Sequence, residues 1–313
     1  MTTFVALGDS ITLGIGDPVR LAPPPGRRKG PRAWRGWAVL LSETLPDPAL
    51  HIVAGNGALM ADLERDQLPA ALQLRPEVAS VVIGINDTLR PNFDPDRLAE
   101  TSAHVIGALR AAGADVLTMR LPDPGRMLHL PDVLARPLAK RAHLLNDVID
   151  QMAERFGTLT YDAAGDPFVY DPPMWAVDRL HPSERGHRLI ARRFHDLLAA
   201  AGHPVGPPPG AEPVEEPPTR AEQFAWMATK GTVWVARRST DLVPCLLSMA
   251  FEEWRAGRAL PEPEHEAEIA AERETATEAA PQQSAAAGDG SGAPADSAPV
   301  SATFTSPELR EAG

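Results

Sequence analysis

Phe4-Val5-Ala6-Leu7-Gly8-Asp9-Ser10 is the stretch from which the fold can be read: four apolar residues form a short β-type run, and a glycine-led polar turn stops it. Similar runs recur at 51–54, 78–83, 115–119 and 158–161. The segments between them are long enough for crossover helices, and apolar residues fall at helical spacing over 37–45, 60–74, 98–112 and 139–156. That alternation predicts an α/β fold in which a parallel sheet carries helices on both faces. The last helix is the best marked. Pro182 suits its first turn, Leu189, Ile190, Phe194, Leu197 and Leu198 recur at helical spacing, and Gly202 stops it.

Around this core the composition is uneven. The chain has 313 residues, 43% of them apolar, which suits one α/β domain of roughly 200 residues plus appendages. We place that domain at 1–202. Residues 203–218 (HPVGPPPGAEPVEEPP) read as a semi-rigid linker, because proline removes backbone donors and fixes φ. Over 219–257 a helical hairpin is expected: Thr219 and Glu222 form a capping-box pattern ahead of Phe224, Trp226 and Met227, and a second helix is entered at Pro244. It is apolar on more than one face, so it docks on the domain or meets another chain or a membrane surface. From 258 to 313 the Ala, Glu, Pro, Gly and Ser bias offers too little apolar surface to offset ordering entropy, which predicts a disordered tail.

Charge and cysteine content exclude several classes. A formal charge of -12 argues against a nucleic-acid partner, since duplex binding draws on Lys and Arg neutralising phosphates. The basic cluster Arg27, Arg28, Lys29, Arg32 and Arg35 reads as a solvated loop. With Cys245 alone, no intrachain disulfide forms and nothing favours an oxidising compartment. The first residues show no secretion signal, and no window reaches the roughly 18 to 20 apolar residues of a membrane span, so the expected location is cytoplasmic. Composition sets no oligomeric state.

Four short motifs carry chemistry. Gly8-Asp9-Ser10, continued by Ile11-Thr12-Leu13-Gly14, puts a serine at the carboxyl end of a parallel strand, where open α/β sheets hold ligands. Asp178-Arg179-Leu180-His181 precedes the last helix. A hydroxyl nucleophile needs a base within reach and an acid to orient that base, and this spacing allows Asp178 to meet one imidazole nitrogen while the other faces Ser10; a capping or surface pair is the alternative. Gly84-Ile85-Asn86-Asp87 follows the apolar run at 80–83, and its Asn can offer an NH2 to a developing oxyanion or simply shape a turn. Asn56-Gly57-Ala58 follows the second run. Gly57 there lets a backbone N–H approach a ligand, or belongs to an ordinary strand-to-helix turn.

In this order, at strand ends of one domain, the four motifs resemble the blocks of the SGNH (GDSL-type) serine esterases, which supply Ser, Gly, Asn and His in turn. The continuation His181-Pro182-Ser183-Glu184-Arg185-Gly186-His187 resembles that family's ending, and the likeness covers about residues 1–201. It implies a flavodoxin-like three-layer α/β/α sandwich with a five-stranded parallel sheet, and hydrolysis of a small-molecule acyl ester without metal or other cofactor. By the same resemblance Ser10 attacks, His181 moves its proton, Asp178 orients His181, and the oxyanion rests on the N–H groups of Ser10 and Gly57 and the side chain of Asn86. Two departures stand out. Gly55 competes with Gly57, and Ile85 puts a bulky side chain where the family more often has a smaller one, which narrows an acyl pocket.

Among the other polar residues, His187 is expected to support packing, and His51, His104, His129, His143 and His195 show no zinc-ligand spacing. Trp34 and Trp37 are expected as rim and core anchors beside a loop over 18–31 that overhangs the site. Close variants of the leading reading are acyl transfer and O-acetyl deacetylation. Different classes are a metal-dependent phosphodiesterase with Asp9, Asn86, Asp178 and His181 as ligands, and a non-catalytic scaffold working through its C-terminal helices.

Overall fold

A computed structural model of the chain describes residues 1–21 and 33–215, together with 247–249, 251, 255, 303 and 304. Its core is a parallel sheet of β1 (Thr2–Gly8), β2 (Pro48–Ile52), β3 (Val78–Val82), β4 (Asp115–Arg120) and β5 (Leu159–Asp162). A two-residue strand β6 (Thr303–Phe304) pairs parallel with β2, giving the order β5-β4-β3-β1-β2-β6. The tail expected to be disordered thus contributes one short strand, and the rest of 258–313 lies outside the described residues. β1 and β3 are largely apolar because central parallel strands are covered on both faces, and all five residues of β3, Ser80 included, are buried.

The chain starts at β1, steps to β2 on one side, and returns to β3 on the other before running outward through β4 and β5. Strand order therefore reverses between β1 and β3. Such a switch point leaves a crevice at the carboxyl ends of the strands, which is where ligands bind in open α/β sheets.

On one face α1 (Gly36–Ser42) packs against α8 (Glu184–Ala200). Phe4, Trp37, Phe194 and Tyr161 stack across that interface, with centroids 6.3, 5.0 and 6.2 Å apart along the series. Each such pair adds roughly 0.5–1.5 kcal/mol beyond its area burial. Trp37 is the core anchor expected of it, and Trp34 lies half-buried in an antiparallel bridge with Arg20. Of the loop expected over 18–31, residues 22 onward lie outside the described residues, which resume at 33.

The other face carries α5 (Pro95–Ala111) and α7 (Asp132–Phe156), with α2 (Met60–Asp62) and α3 (Leu68–Leu74) beside them. Two short helices, α4 (Ile85–Thr88) and α6 (Pro124–Leu128), follow β3 and β4. Between α2 and α3 the turn Leu63–Gln67 is π-helical, so the expected single helix over 60–74 contains an inserted residue. α7 begins at Asp132, seven residues before the apolar periodicity suggests, and carries Pro137 inside it.

Three expectations are corrected here. Pro182 stands before the cap of α8, not in its first turn: Ser183 is the N-cap, its hydroxyl accepting from the Gly186 N–H at 3.3 Å, while Pro182 bridges to Trp175. Arg35 is not a solvated loop residue. Its guanidinium is buried between Asp17 (3.2 Å) and Glu184 (2.7 Å), because the latter opens α8 facing the start of α1; the rest of the basic cluster lies outside the described residues. The Pro-rich segment is no free spacer as far as residue 215. Gly206 donates to the Thr44 carbonyl, His195, Arg192 and Arg188 donate to the carbonyls of Gly206, Pro209 and Gly210, and the N–H groups of Val214 and Glu215 donate to Glu184. Of the expected hairpin, residues 247–249, 251 and 255 are helical and the remainder lies outside the described residues. Met249 packs with Leu138 of α7, against Leu89, Leu130 and Leu134. Among the described residues no helix is long and apolar enough to cross a membrane.

Candidate active site

Gly8 ends β1 with φ +151°, and a Cβ there would overlap the Val82 carbonyl and the Thr12 hydroxyl, so only glycine lets β1 turn this close to β3. Gln67 fixes the same residue from the π-helical turn: its Oε1 accepts from the Gly8 N–H at 2.8 Å, and its Nε2 donates to the Gly8 carbonyl at 2.9 Å. The following turn closes through Leu13 N–H to Asp9 O and Ile15 N–H to Ser10 O, leaving the Ser10 hydroxyl at the carboxyl edge of the sheet, 8% exposed.

The second loop is shaped just as locally. Arg179 adopts the left-handed region (φ +54°), Ala176 donates to the His181 carbonyl, and Ser183 donates to the Met174 carbonyl. A Cβ on Gly16 would overlap the carbonyl of Pro182, so Gly16 is what lets this loop approach the serine turn. At the bottom of the approach the His181 Nδ1–H donates to Asp178 Oδ2 at 2.7 Å, and Nε2 faces the Ser10 Oγ at 3.0 Å.

The protonation pattern follows from these contacts. Burial pushes the Asp178 carboxyl up, but the His181 imidazole and the N–H groups of Leu180 and His181 outweigh it and hold the group below the usual carboxylate range. An ionised carboxylate only accepts, so Nδ1 carries the imidazole proton and the Nε2 lone pair is left for the serine hydroxyl. Of the sequence-derived residues, Ser10, Asp178 and His181 therefore stand in one hydrogen-bonded row.

Asn86 reaches the same crevice from α4, whose entry Gly84 takes at φ +117°. Its NH2 donates to Asp9 Oδ2 at 3.3 Å and to the Ala58 carbonyl at 3.2 Å. Asp9 is fully enclosed, and burial raises its pKa to about 7 against the lowering effect of the Ile11 N–H. Nearby Asp87 is raised to about 6 by burial, with the Met60 N–H opposing.

Gly55 and Gly57 differ in their hydrogen bonding. Gly55 spends its N–H on the Gly8 carbonyl, whereas no acceptor among the described residues takes the N–H of Gly57 or of Ser10. Gly57 has φ +71°, and the space a Cβ would enter there is open.

His187 takes the supporting role expected of it. It is fully buried, accepts from the Trp37 N–H at Nδ1, donates from Nε2 to the Ile15 carbonyl, and is pushed down to about 4 by burial, hence neutral. Asp9, Gly16 and Gln67 were not singled out by sequence reasoning for these positions. Gly16 had a signal, since Gly14 and Gly16 follow closely on the serine turn; Gln67 had none, lying 59 residues from Gly8 inside an apparently regular helix. Among the described residues no group of three or more His, Cys, Asp or Glu is placed to hold a metal ion.

A doubly wound parallel sheet with a hydroxyl, an imidazole and a carboxylate aligned at its carboxyl edge defines the class as an α/β enzyme. More particularly, the chain belongs to the GDSL-like lipase/acylhydrolase family, whose profile matches residues 6–189, and it is an ester-hydrolysing enzyme. Three solved structures are among those similar to this chain. The psychrotrophic esterase EstA from Pseudoalteromonas sp. is 18% identical over 64% of this chain and 98% of its own, with a TM-score of 0.48. The acetylxylan esterase Axe2 from Geobacillus stearothermophilus is 22% identical over 63% and 94%, with a TM-score of 0.48. The lipase/acylhydrolase from Enterococcus faecalis is 18% identical over 69% and 100%, with a TM-score of 0.49. A comparison with curated protein sequences gives no match.

Proposed function

We propose that the chain hydrolyses carboxylic esters through an acyl-enzyme on Ser10. The observation that carries this reading is the row in which the Ser10 Oγ lies 3.0 Å from His181 Nε2 and His181 Nδ1 lies 2.7 Å from Asp178. As Oγ attacks the ester carbonyl carbon, Nε2 takes its proton, and Asp178 steadies the imidazolium. The carbonyl oxygen, now an anion, is met by the N–H groups of Ser10 and Gly57 and by the Asn86 NH2, which exchanges one of its two long hydrogen bonds for it. Collapse expels the alkoxide, which receives the proton from His181. Water then attacks the acyl-enzyme by the same route in reverse, giving the acid and free Ser10.

Hydrolysis of a p-nitrophenyl ester by wild type and Ser10→Ala tests this. The substitution should lower kcat by roughly 10⁴-fold or more with the circular dichroism spectrum unchanged, and wild-type turnover should survive EDTA. Comparable turnover in Ser10→Ala would overturn the proposal. Loss in EDTA with rescue by metal would favour Asp9, Asn86, Asp178 and His181 as ligands instead.

A further inference from the structure

Asp9 is a buried acid to which the reaction above gives no task. It stands between Gly8, the end of β1, and Ser10, it is 1% exposed, and both of its oxygens take a donor. Oδ1 accepts the Ile11 N–H at 2.9 Å, and Oδ2 accepts the Asn86 NH2 at 3.3 Å. The nitrogen of that amide also donates to the Ala58 carbonyl at 3.2 Å. The two ends of a carboxamide are nearly alike in size, so its neighbours decide which end faces a given atom. Here a carboxylate and a carbonyl, one for each N–H, select the nitrogen. The charge is costly to keep in this place. Burial raises the Asp9 carboxyl to about 7 against the Ile11 N–H and the His181 imidazole, and the neighbouring Asp87 adds to the rise.

We propose that Asp9 is a positioning residue: its carboxylate fixes the Asn86 amide with the nitrogen, not the oxygen, toward the carbonyl oxygen of the ester. The inference rests on the reading of Asn86 as an oxyanion donor. A carboxylate accepts more strongly than a carbonyl, so the bond to Asp9 is the one kept when the oxyanion forms, and the bond to Ala58 is the one released. Stability gives no reason for the acid. A carboxyl whose folded pKa stands above its unfolded value stabilises a fold while protonated, and that contribution is lost as pH rises through the folded value, here about 7. Above it, an uncharged side chain of the same shape serves the fold as well, and its Oδ1 still accepts the Ile11 N–H.

The test is Asp9→Asn, made in wild type and in Asn86→Ala, with hydrolysis of a p-nitrophenyl ester and thermal melts at about pH 8 as the two readouts and Ser10→Ala as control. The substitution keeps the acceptor for Ile11 but sets an NH2 against the NH2 of Asn86, so that the Asn86 amide turns over or swings away. In the wild-type background kcat should fall toward the 10²- to 10³-fold that the loss of one oxyanion donor costs, by at least about tenfold, with KM little changed. The melting temperature should stay within a few degrees of wild type or rise. In the Asn86→Ala background the further loss should be less than about threefold, because a residue that acts through Asn86 has nothing left to position there, whereas a merely structural role multiplies the two losses. A folded Asp9→Asn with kcat unchanged, or with a loss as large without Asn86 as with it, would overturn the positioning role alone. A collapsed fold in Asp9→Asn would do the same, since the charge would then serve stability. An Asn86→Ala enzyme with kcat intact would overturn the oxyanion role of Asn86 and the positioning role with it. Turnover that persists in Ser10→Ala, or a wild type inactive on the ester, would overturn the reading of the reaction itself.

Discussion

Asn86 uses both amide hydrogens before any substrate arrives, one on Asp9 at 3.3 Å and one on the Ala58 carbonyl at 3.2 Å. Both bonds are long, so yielding one to a charged oxygen costs little and gains a charge-assisted bond. Asn86→Ala should lower kcat by about 10²- to 10³-fold while KM changes little, because the contact is made chiefly in the transition state; steady-state kinetics on a short-chain ester measure the split. An equal loss in KM would show that Asn86 binds ground state and transition state alike. At this scale the motifs could be read in the sequence where they follow a strand, as for Ser10 and Asn86, or precede the last helix, as for Asp178 and His181. It could not choose between Gly55 and Gly57. That choice depends on which N–H the Gly8 carbonyl consumes, a contact between strands that spacing does not encode.

The elements carry the next layer of positioning, and the π-helical turn Leu63–Gln67 is the least expected of them. The extra residue in this turn accompanies a Gln67 that points at β1, where it satisfies both backbone groups of Gly8, two residues before Ser10. Gln67→Leu would leave the buried Gly8 N–H unpaired and weaken the carbonyl's bonding. We expect about 1–3 kcal/mol of lost stability by denaturant unfolding. A displaced serine turn should also lower kcat by at least several-fold below the melting temperature, with Gln67→Glu, which keeps the acceptor, recovering part of it. Lost stability with unchanged kcat would reduce the clamp to a structural role. Apolar spacing revealed the helix over 60–74 but not the π turn, since one slipped hydrogen-bond register barely disturbs a hydrophobic stripe. Pro182 misled for a related reason: proline fits a first helical turn and the residue before an N-cap equally well, and only the Ser183 hydroxyl bond separates the two.

Across the whole molecule, the Pro-rich segment after α8 is where composition was least informative. Proline-rich chain lacks regular structure but keeps every carbonyl, and Arg188, Arg192 and His195 on α8 supply the donors that hold it. Glu184 completes the strap. Burial pushes its carboxyl up, but the N–H groups of Val214 and Glu215, with Arg35 and Arg188, outweigh this and bring it down to about 2. Glu184 lies three residues beyond His181, so the strap braces the end of α8 into which the His181 loop runs. A chain ending at residue 202 should therefore be less stable than one ending at 215, by roughly 2–4 kcal/mol from the lost charged hydrogen bonds. That corresponds to a melting temperature lower by about 5–15 °C in a domain of this size. The pH dependence gives an independent readout. A carboxyl whose folded pKa lies below its unfolded value stabilises the fold fully above about pH 4.5, and that contribution fades as pH falls toward about 2. Without Val214 and Glu215 the folded value rises toward the ordinary one, so the shorter chain should lose stability less steeply across that window. Melting curves for the two chains between pH 2 and 7 measure both effects, and superimposable curves would show that the strap rests on the domain without bracing it.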